Sequence, residues 1–540
     1  MFPLRGILLT ILIVFNFSGA LKQEQEWRPE RLGNVLESTL VRYYIFSLNN
    51  PEEVRNGSDP EMVELGPFTY REKRLKKNML RLDDTTLQYD IDWSMHYLPE
   101  LTKPGLNEDT EFTSLNAPFI TMSEGLAAAG LPKAFNAILV DEILEAGETL
   151  IRPEIKFGES LFYGYNVSVY TAILDDITQG QTEERYPELA GGKFAFYKNK
   201  NGTITATYKV HSTKETPFGN ILTYQGYPTL GFWPKSSHCD DLSDSLDFFT
   251  FPKRITKDTV FNIFLPENCR SLQLRYVQED IFRGIPVYVF KFPLDQFSNN
   301  LYNDGTSCYC FNFHNASDPQ CLDSGFMDYS GCSKGAPLVG SFPHFLHANP
   351  RHFQNIQGLS PNKSLHESEI MIEPITGTPL YAVRRFQLNL HTRPIPAVTY
   401  FENMTERIVP LAWFEHILEV PSTTFTTVKQ KLEELRLQES SAKDIYEHDE
   451  NPIEEMDDNT LFASRSGFPS SASSSGVVLD DEEPTRPEES NEIGNATASA
   501  ASKAAKSNLH SSCYSYFAVV TTALILLFSS ESSLNQERIV

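Results

Sequence analysis

CYCFNFHNASDPQCLDSGFMDYSGC, residues 308–332, carries four of the seven cysteines in a chain of 540 residues. Two more cysteines lie upstream of this stretch, whereas Cys513 stands apart beside a carboxyl-terminal apolar run. An even, clustered set of cysteines is typical of disulfides that form in an oxidising compartment. We therefore predict an exported, disulfide-linked domain whose half-cystines are Cys239, Cys269, Cys308, Cys310, Cys321 and Cys332.

A structural zinc site is the alternative explanation for clustered cysteines. Such sites usually contain a Cys-x2-Cys knuckle, and no two of these cysteines have that spacing. His344 and His347 could form a ligand pair, but no acidic residue or cysteine lies close to them in the sequence. We predict disulfides, no metal site, and structural roles for both histidines.

Enzymes with well-known sequence signatures are not indicated. The chain has no His-Glu-x-x-His pair, no phosphate-binding glycine loop and no Rossmann fingerprint. Its net charge of -25 also disfavours nucleic acid as a partner, because phosphates are negatively charged too. We predict a protein that is not an enzyme, has no cofactor and binds no nucleic acid.

Acceptor triplets for N-linked glycans, Asn-x-Ser/Thr, are spread along the region between two apolar ends. They begin at Asn56, Asn166, Asn201, Asn315, Asn362, Asn403 and Asn495. No proline blocks any of them, and such triplets are glycosylated in exported domains. The sequons agree with the cysteines in predicting an extracellular or lumenal body.

The two ends of the chain predict membrane attachment. Residues 1–21 are mostly apolar and indicate either an N-terminal transmembrane anchor or a cleaved signal peptide. Residues 513–530 indicate a C-terminal transmembrane helix, although the run is short for a full span. Charged residues follow this second run, which disfavours a removed lipid-anchor signal. Residues 531–540 would then be a cytosolic tail.

Residues 439–512 differ in composition from the rest of the chain. They are rich in Glu, Asp, Ser and Ala, and sixteen acids face three bases between positions 439 and 500. A segment of this kind buries too little apolar surface to offset the entropy lost on ordering. We predict a disordered acidic stalk.

The body between these segments, residues 22–438, is long enough for a substantial core. Residues 193–210 predict a β-hairpin whose turn is Asn201-Gly202, since that dipeptide tolerates positive φ angles. Residues 284–293 and 379–390 are rich in Val, Tyr and Phe, which favours two further strands.

Helical periodicity is concentrated in two places. Leucines and isoleucines recur at helical spacing over residues 123–150, with a break at Gly130-Leu131-Pro132. A final amphipathic helix is predicted over residues 426–438. The body therefore combines many strands with a few separate helices.

Several short motifs follow one another in a fixed order, and together they identify a family. They are Asn50-Pro51-Glu52-Glu53-Val54, Glu64-Leu65-Gly66-Pro67-Phe68-Thr69-Tyr70-Arg71-Glu72, Ser237-His238-Cys239-Asp240, Cys269-Arg270-Ser271, Gly284-Ile285-Pro286-Val287-Tyr288, Cys308-Tyr309-Cys310, Pro343-His344-Phe345-Leu346 and Ile372-Glu373-Pro374-Ile375-Thr376-Gly377. In this order the chain resembles the class B scavenger receptor family over residues 41–413. That family includes the fatty acid translocase (platelet glycoprotein IV), the high-density-lipoprotein receptor and the lysosomal integral membrane protein.

The resemblance implies an α+β fold. Family members have a large antiparallel β-barrel ectodomain with a helical-bundle cap and an internal lipid tunnel, anchored by terminal transmembrane helices. The helices at residues 123–150 would belong to the cap. Six cysteines alone allow fifteen pairings. The resemblance implies Cys239 with Cys308, Cys269 with Cys332, and Cys310 with Cys321.

The resemblance also implies a function. The protein would be a membrane scavenger receptor that binds fatty acids, sterols, carotenoids or lipoprotein lipid and facilitates their transfer into the membrane. The alternative is a lysosomal membrane receptor that binds and transports a soluble protein partner at its cap. The plasma membrane is the first expectation for its location, and the lysosomal or endosomal membrane is the alternative.

Two charge patterns bear on these expectations. Acids outnumber bases over residues 117–186, and an acidic cap would repel anionic lipoproteins. The same acids could simply solvate helix faces.

A basic run contains Arg71, Lys73, Arg74, Lys76 and Lys77. It could contact anionic lipid head groups or glycans, or it could be a solvated strand end.

Overall fold

The computed structural model describes residues 39–448, except 213–217, 235–236, 249–250, 300, 302–304 and 311–318. Both terminal apolar runs, most of the predicted stalk, and the sequons at Asn315 and Asn495 lie outside the described residues. No helix in the described part of the chain is both long enough and apolar enough to cross a bilayer.

Strands dominate the described structure. They are β1 (Thr39–Leu48), β2 (Met62–Arg81), β3 (Thr86–Tyr97), β4 (Glu111–Leu115), β5 (Ile151–Lys156), β6 (Tyr165–Asn166), β7 (Lys193–Phe194), β8 (Thr203–His211), β9 (Ile221–Tyr224), β10 (Ser245–Leu246), β11 (Val260–Leu265), β12 (Arg270–Phe282), β13 (Ile285–Lys291), β14 (Phe326–Asp328), β15 (Leu338–Ser341), β16 (Glu369–Glu373), β17 (Thr378–Thr392) and β18 (Arg407–Glu419).

The helices are fewer and lie mainly between β3 and β8. They are α1 (Pro51–Arg55), α2 (Ala117–Ala128), α3 (Lys133–Glu145), α4 (Ser168–Thr178), α5 (Thr182–Arg185), α6 (Lys363–His366) and α7 (Ser422–His448), together with a π-helix at Glu159–Tyr163. We call residues 98–202, which join β3 to β8, the cap.

A large sheet organises the body. Its strands follow the order β10-β11-β12-β13-β16-β17-β18-β1-β2-β3-β8-β9, with β14 and β15 attached beside β17. Neighbours are antiparallel except β10 and β11. A single bridge between Asn220 and Leu246 joins the β9 end to the β10 end, so the sheet is a nearly closed barrel.

The barrel follows from side-chain alternation. In β3, Leu87, Tyr89, Ile91, Trp93 and Met95 occupy every second position and are all buried, whereas the residues between them are more exposed. Successive side chains of a strand point to opposite faces of a sheet. One face of the closed sheet therefore supplies the interior.

The last helix is longer than the sequence predicted. It starts four residues before position 426 and continues to His448, through the first ten residues of the predicted stalk. Val428 and Leu432, one helical turn apart, pack against Ile285, Val287 and Leu380 of the barrel. The described residues up to Glu433 belong to one compact unit, and the rest of α7 belongs to another.

The predicted cap helices are present with their break. The structure has α2 and α3 separated at Gly130, and α2 begins earlier than predicted because the Asn116 side chain caps it by accepting from the Phe119 N–H at 3.3 Å. The strands predicted at residues 284–293 and 379–390 are β13 and β17.

The hairpin predicted over residues 193–210 is wrong. Lys193–Phe194 pairs with Tyr165–Asn166 in the cap, and β8 pairs with β3 and β9 instead. The Asn201 side chain exchanges two hydrogen bonds with the backbone of Met95, at 2.8 and 3.1 Å. This contact docks the Asn201-Gly202 turn onto β3, so the turn starts a barrel strand and does not close a local hairpin.

Three disulfides join Cys239 to Cys308, Cys269 to Cys332, and Cys310 to Cys321. These are the pairs that the family resemblance implies. The first two close loops of 69 and 63 residues, for which the chain-entropy account gives a stabilisation of roughly 3 to 5 kcal/mol each.

A buried arginine organises the disulfide region. The guanidinium of Arg270 lies over the ring of Tyr309 at 4.0 Å and over Trp233 at 5.2 Å. It donates to the Asp328 carbonyl at 2.6 Å, and the Trp233 indole donates to the Cys269 carbonyl at 2.8 Å. Arg270 is only 1% exposed, so cation–π contacts and hydrogen bonds stabilise its charge.

Replacing Arg270 by Ala should destabilise the protein, because it removes these contacts and leaves a cavity between two aromatic rings. We expect the free energy of unfolding to fall by about 3 kcal/mol. The measurement is the apparent Tm of the full-length protein at a fixed scan rate.

Arg283→Ala is the matched control. Arg283 forms its ion pair with Glu419 at the surface, and its side chain is 53% exposed. Surface ion pairs contribute little to stability, so the apparent Tm should hardly change. Equal losses in the two variants would contradict the stabilising role of Arg270.

Candidate functional site

A cavity of about 720 Å³ lies inside the barrel and extends to the cap. Its volume falls in the range of small-molecule sites. The barrel contributes inward-facing residues of β1, β2, β3, β8, β17 and β18, and the cap contributes residues of β4, β5 and β6 and of the segment around β7. Strands far apart in sequence therefore share one interior space.

The walls of the cavity are largely apolar and aromatic. Residues of this kind from the barrel are Tyr43, Ile45, Ile91, Trp93, Phe264, Phe386, Leu388, Ala412 and Phe414. Those from the cap are Phe112, Leu115, Ile155, Leu161, Tyr165, Phe194, Phe196 and Tyr197. Such a surface favours a hydrophobic occupant, because each apolar group transferred from water gains free energy.

One edge of the cavity reaches the protein surface. Phe196, Lys200, Thr203 and Ile204 line the cavity and are also exposed to solvent. Ile204 is 48% exposed, so an apolar side chain lies where the cavity meets solvent. We call these four residues the mouth.

Charged side chains also line the cavity, and we call one connected group of them the charged cluster. Arg74 donates to Glu72 at 2.9 Å and to Glu267 at 2.6 Å. Arg384 lies 3.5 Å from the same Glu267 oxygen and donates through Nη2 to Nδ1 of His416 at 2.8 Å. The two carboxylates, the two guanidiniums and the imidazole form one connected network.

The ionisation of the charged cluster follows from these contacts. Burial opposes the charge of Glu72, but the Arg74 guanidinium and the donating Trp93 indole hold its pKa at about 2. Burial likewise opposes the charge of Glu267, yet Arg384 and Arg74 lower its pKa. Burial lowers the pKa of His416 to about 3, so this imidazole is neutral and accepts from Arg384.

The basic run of the sequence is divided by the alternation of β2. Arg74 and Lys76 point into the barrel, where Lys76 pairs with Asp247 at 2.6 Å and is 3% exposed. Arg71, Lys73 and Lys77 point outward. The interpretation of the whole run as a solvated strand end or a surface contact is therefore wrong for Arg74 and Lys76, which form ion pairs inside the barrel.

His344 and His347 occupy separate polar contacts. His344 is 6% exposed; its Nδ1 accepts from the Ser360 N–H at 3.1 Å, so its Nε2 donates to Glu64 at 2.8 Å. His347 lies 3.4 Å from Glu367.

Metal-ligand geometry occurs at one place among the described residues, His238 with Cys239 and Cys308. The Sγ atoms of Cys239 and Cys308 form a disulfide with each other, so neither cysteine offers a thiolate to a metal.

One motif was missed in the sequence. Gly331-Cys332-Ser333-Lys334-Gly335 has the Gly-x-Ser-x-Gly spacing of a nucleophile elbow. In the structure this pentapeptide lies in the turn between β14 and β15, and Cys332 is disulfide-bonded. A nucleophile elbow instead joins a strand to a helix, so the match is one of spacing alone.

The described sequon asparagines all lie at the surface. The exposed asparagines are Asn56, Asn166, Asn201, Asn362 and Asn403.

The acidic residues of the cap have two roles. On α3 the side chains of Asp141, Glu142 and Glu145 are exposed to solvent. Glu148 is half-buried and pairs with Arg152 at 3.0 Å.

Residues 34–442 match the model of the CD36 family. Human lysosome membrane protein 2 is 27% identical over 397 residues, which cover 73% of this chain and 77% of that protein. Sensory neuron membrane protein 2 of Ostrinia furnacalis is 26% identical over 403 residues, with 72% and 76% covered. Mouse scavenger receptor class B member 1 is 26% identical over 378 residues, with 69% of each chain covered.

The neutral histidines make stability depend on pH. Burial lowers the pKa of His416 to about 3 and that of His366 to about 4, from an ordinary value of 6.5. Below pH 6.5 the unfolded chain therefore binds protons that the folded protein does not. We expect the free energy of unfolding of the parent protein to fall as the pH is lowered from 6.5 to 4. In His416→Gln the slope of this free energy against pH should be smaller, by up to about 1.4 kcal/mol per pH unit.

The measurement is denaturant unfolding of the full-length protein at several pH values, with His96→Gln as control. His96 is exposed on β3, so its replacement should leave the slope unchanged. An unchanged slope in His416→Gln would contradict the neutral, Arg384-bonded imidazole.

Proposed function

This chain belongs to the CD36 family of membrane proteins, and from that premise we propose that it is a membrane scavenger receptor that binds hydrophobic ligands and facilitates their transfer into the membrane. The family is one of receptors, and a related protein carries the name scavenger receptor class B member 1. The candidate ligands are fatty acids, sterols, carotenoids and lipoprotein lipid.

The apolar cavity with its mouth is the observation that carries this proposal. An acyl chain in contact with Trp93, Phe386 and Phe414 would be shielded from water, at a gain of about 0.8 kcal/mol per buried methylene. The mouth at Ile204 gives such a chain a way in from the surface. A lipid tunnel would extend this cavity towards the membrane.

The first and last strands of the described barrel support attachment at one end of it. Leu40 of β1 pairs with Ile417 of β18, so the described body starts and ends on the same side. The antiparallel order also brings the β2–β3 and β12–β13 hairpins to that end, where Leu80 is 54% and Ile281 is 70% exposed. We propose that this end faces the bilayer, held by the terminal segments 1–21 and 513–530.

The plasma membrane is the proposed location, with an extracellular ectodomain. The exposed sequon asparagines are accessible to glycosylation, and we propose that all seven sequons are used. The acidic segment after α7 would separate the ectodomain from the C-terminal helix as a stalk.

A second candidate is a lysosomal membrane receptor that carries a soluble protein on its cap. Ile138 lies in the middle of α3 and is 63% exposed, beside Asp141 and Glu142 one turn further on. A partner with an apolar contact and a basic rim would match this isoleucine and its acidic neighbours. The relationship to lysosome membrane protein 2 agrees with this location.

Filling the cavity should prevent lipid binding. Ala412 lines the cavity, and Ala412→Trp would place an indole in the space. We expect mass spectrometry of the purified full-length glycoprotein to find stoichiometric lipid in the parent and at least several-fold less in this variant. Val63→Trp is the control, because Val63 is 45% exposed and lies outside the cavity. Equal lipid in both variants, or none in the parent, would contradict the proposal.

The protein-carrier function makes a separate prediction. Ile138→Arg should abolish copurification of a soluble protein partner and leave the lipid content at the parent level, because Ile138 does not line the cavity. Loss of lipid without loss of a protein partner would exclude this candidate.

A further inference from the structure

Within the part of the chain that the structure describes, two polar atoms of the charged cluster have no hydrogen-bond partner. They are Oε2 of Glu267 and Nε of Arg384, and both are buried. Their residues line the cavity and approach each other through other atoms, with Nη2 of Arg384 3.5 Å from Oε1 of Glu267. Buried polar groups in native proteins normally have partners, so this pair indicates a place where a ligand completes the network.

The two atoms have complementary needs. A carboxylate oxygen only accepts hydrogen bonds, whereas the Nε–H of a guanidinium only donates. One hydroxyl group can do both at once, donating to Glu267 and accepting from Arg384. Arg384 lines the cavity, is 4% exposed and donates through Nη2 to His416, so its guanidinium is held in place.

The charge balance of the wall argues against a charged head group. Glu72 and Glu267 are matched by Arg74 and Arg384, and His416 is neutral. A carboxylate entering this site would add an unpaired charge in a buried environment and would face the free oxygen of Glu267.

The other charges of the wall leave this balance unchanged. Asp247, which also lines the cavity, is paired with Lys76. Lys200 is exposed at the mouth, where solvent screens its charge.

We infer that Glu267 and Arg384 form a head-group site that selects neutral apolar alcohols, the class that includes sterols and long-chain alkanols, over fatty-acid anions. This inference rests on the proposed function and names the ligand class of the same cavity. Glu267 supplies the acceptor, Arg384 supplies the donor, and the aromatic walls hold the hydrocarbon.

The test compares two ligands that share a chain length. Radiolabelled hexadecanol and hexadecanoate are titrated into delipidated, full-length protein at pH 8, where the acid is ionised. We expect hexadecanol to bind at least about tenfold more tightly, as hydrogen bonds to charged groups contribute that much. Cholesterol as a competitor should displace hexadecanol.

A charge-changing variant locates the site. Glu267→Gln leaves the cluster with one excess positive charge, so hexadecanoate should gain affinity and the preference should shrink or reverse. This is a gain of binding, which a misfolded variant would not give. Glu415→Gln is the matched control, because Glu415 of β18 is a buried, arginine-paired glutamate that does not line the cavity. Its preference should equal that of the parent.

The outcomes separate the inference from the proposed function. Hexadecanoate binding as tight as hexadecanol in the parent would overturn the inference and leave the hydrophobic-ligand receptor intact. An unchanged preference in Glu267→Gln would overturn the assignment to this pair. Binding of neither ligand, with no lipid found in the purified protein, would overturn both.

Discussion

Closure of the antiparallel sheet is the constraint on which the rest of this structure depends. In a closed sheet every second side chain must point inward, whatever its chemistry. Along β2 this rule places Glu72, Arg74 and Lys76 inside the barrel. Buried charges are costly unless they are paired, so β2 requires Glu267, Arg384 and Asp247 on other strands and loops. The charged cluster in the largely apolar cavity wall is therefore a consequence of strand register.

The cap and the barrel share one core, and this explains how the cavity spans both. Phe157 of the cap stacks on Phe68 of β2, with ring centroids 3.8 Å apart, and also contacts Tyr43 and Tyr70. Aromatic contacts of this kind fix the cap against the strands. A ligand in the cavity would contact both parts, so binding and cap position are physically linked. The exposed face of α3 is separate from this core, which keeps the two candidate functions on different surfaces.

Sequence patterns predicted the local features of this chain well. Residue type and short spacing predicted that the six clustered cysteines form disulfides. They also predicted the strands β13 and β17 and the break between α2 and α3. The order of short motifs identified the family, and the family match confirms it. The hairpin at residues 193–210 failed because Asn201 bonds to Met95, a contact across more than a hundred positions that no local pattern contains.

The sequence by itself determined membership of a receptor family and a local cluster of six cysteines, because residue spacing and motif order are properties of the linear chain. Only the tertiary structure decided which basic residues are buried, which strand β8 pairs with, and where a cavity remains. Glu72, Glu267 and Arg384 are far apart in sequence and meet because the sheet closes. Periodicity shows that a side chain faces inward, but its partner depends on the register of strands hundreds of residues away.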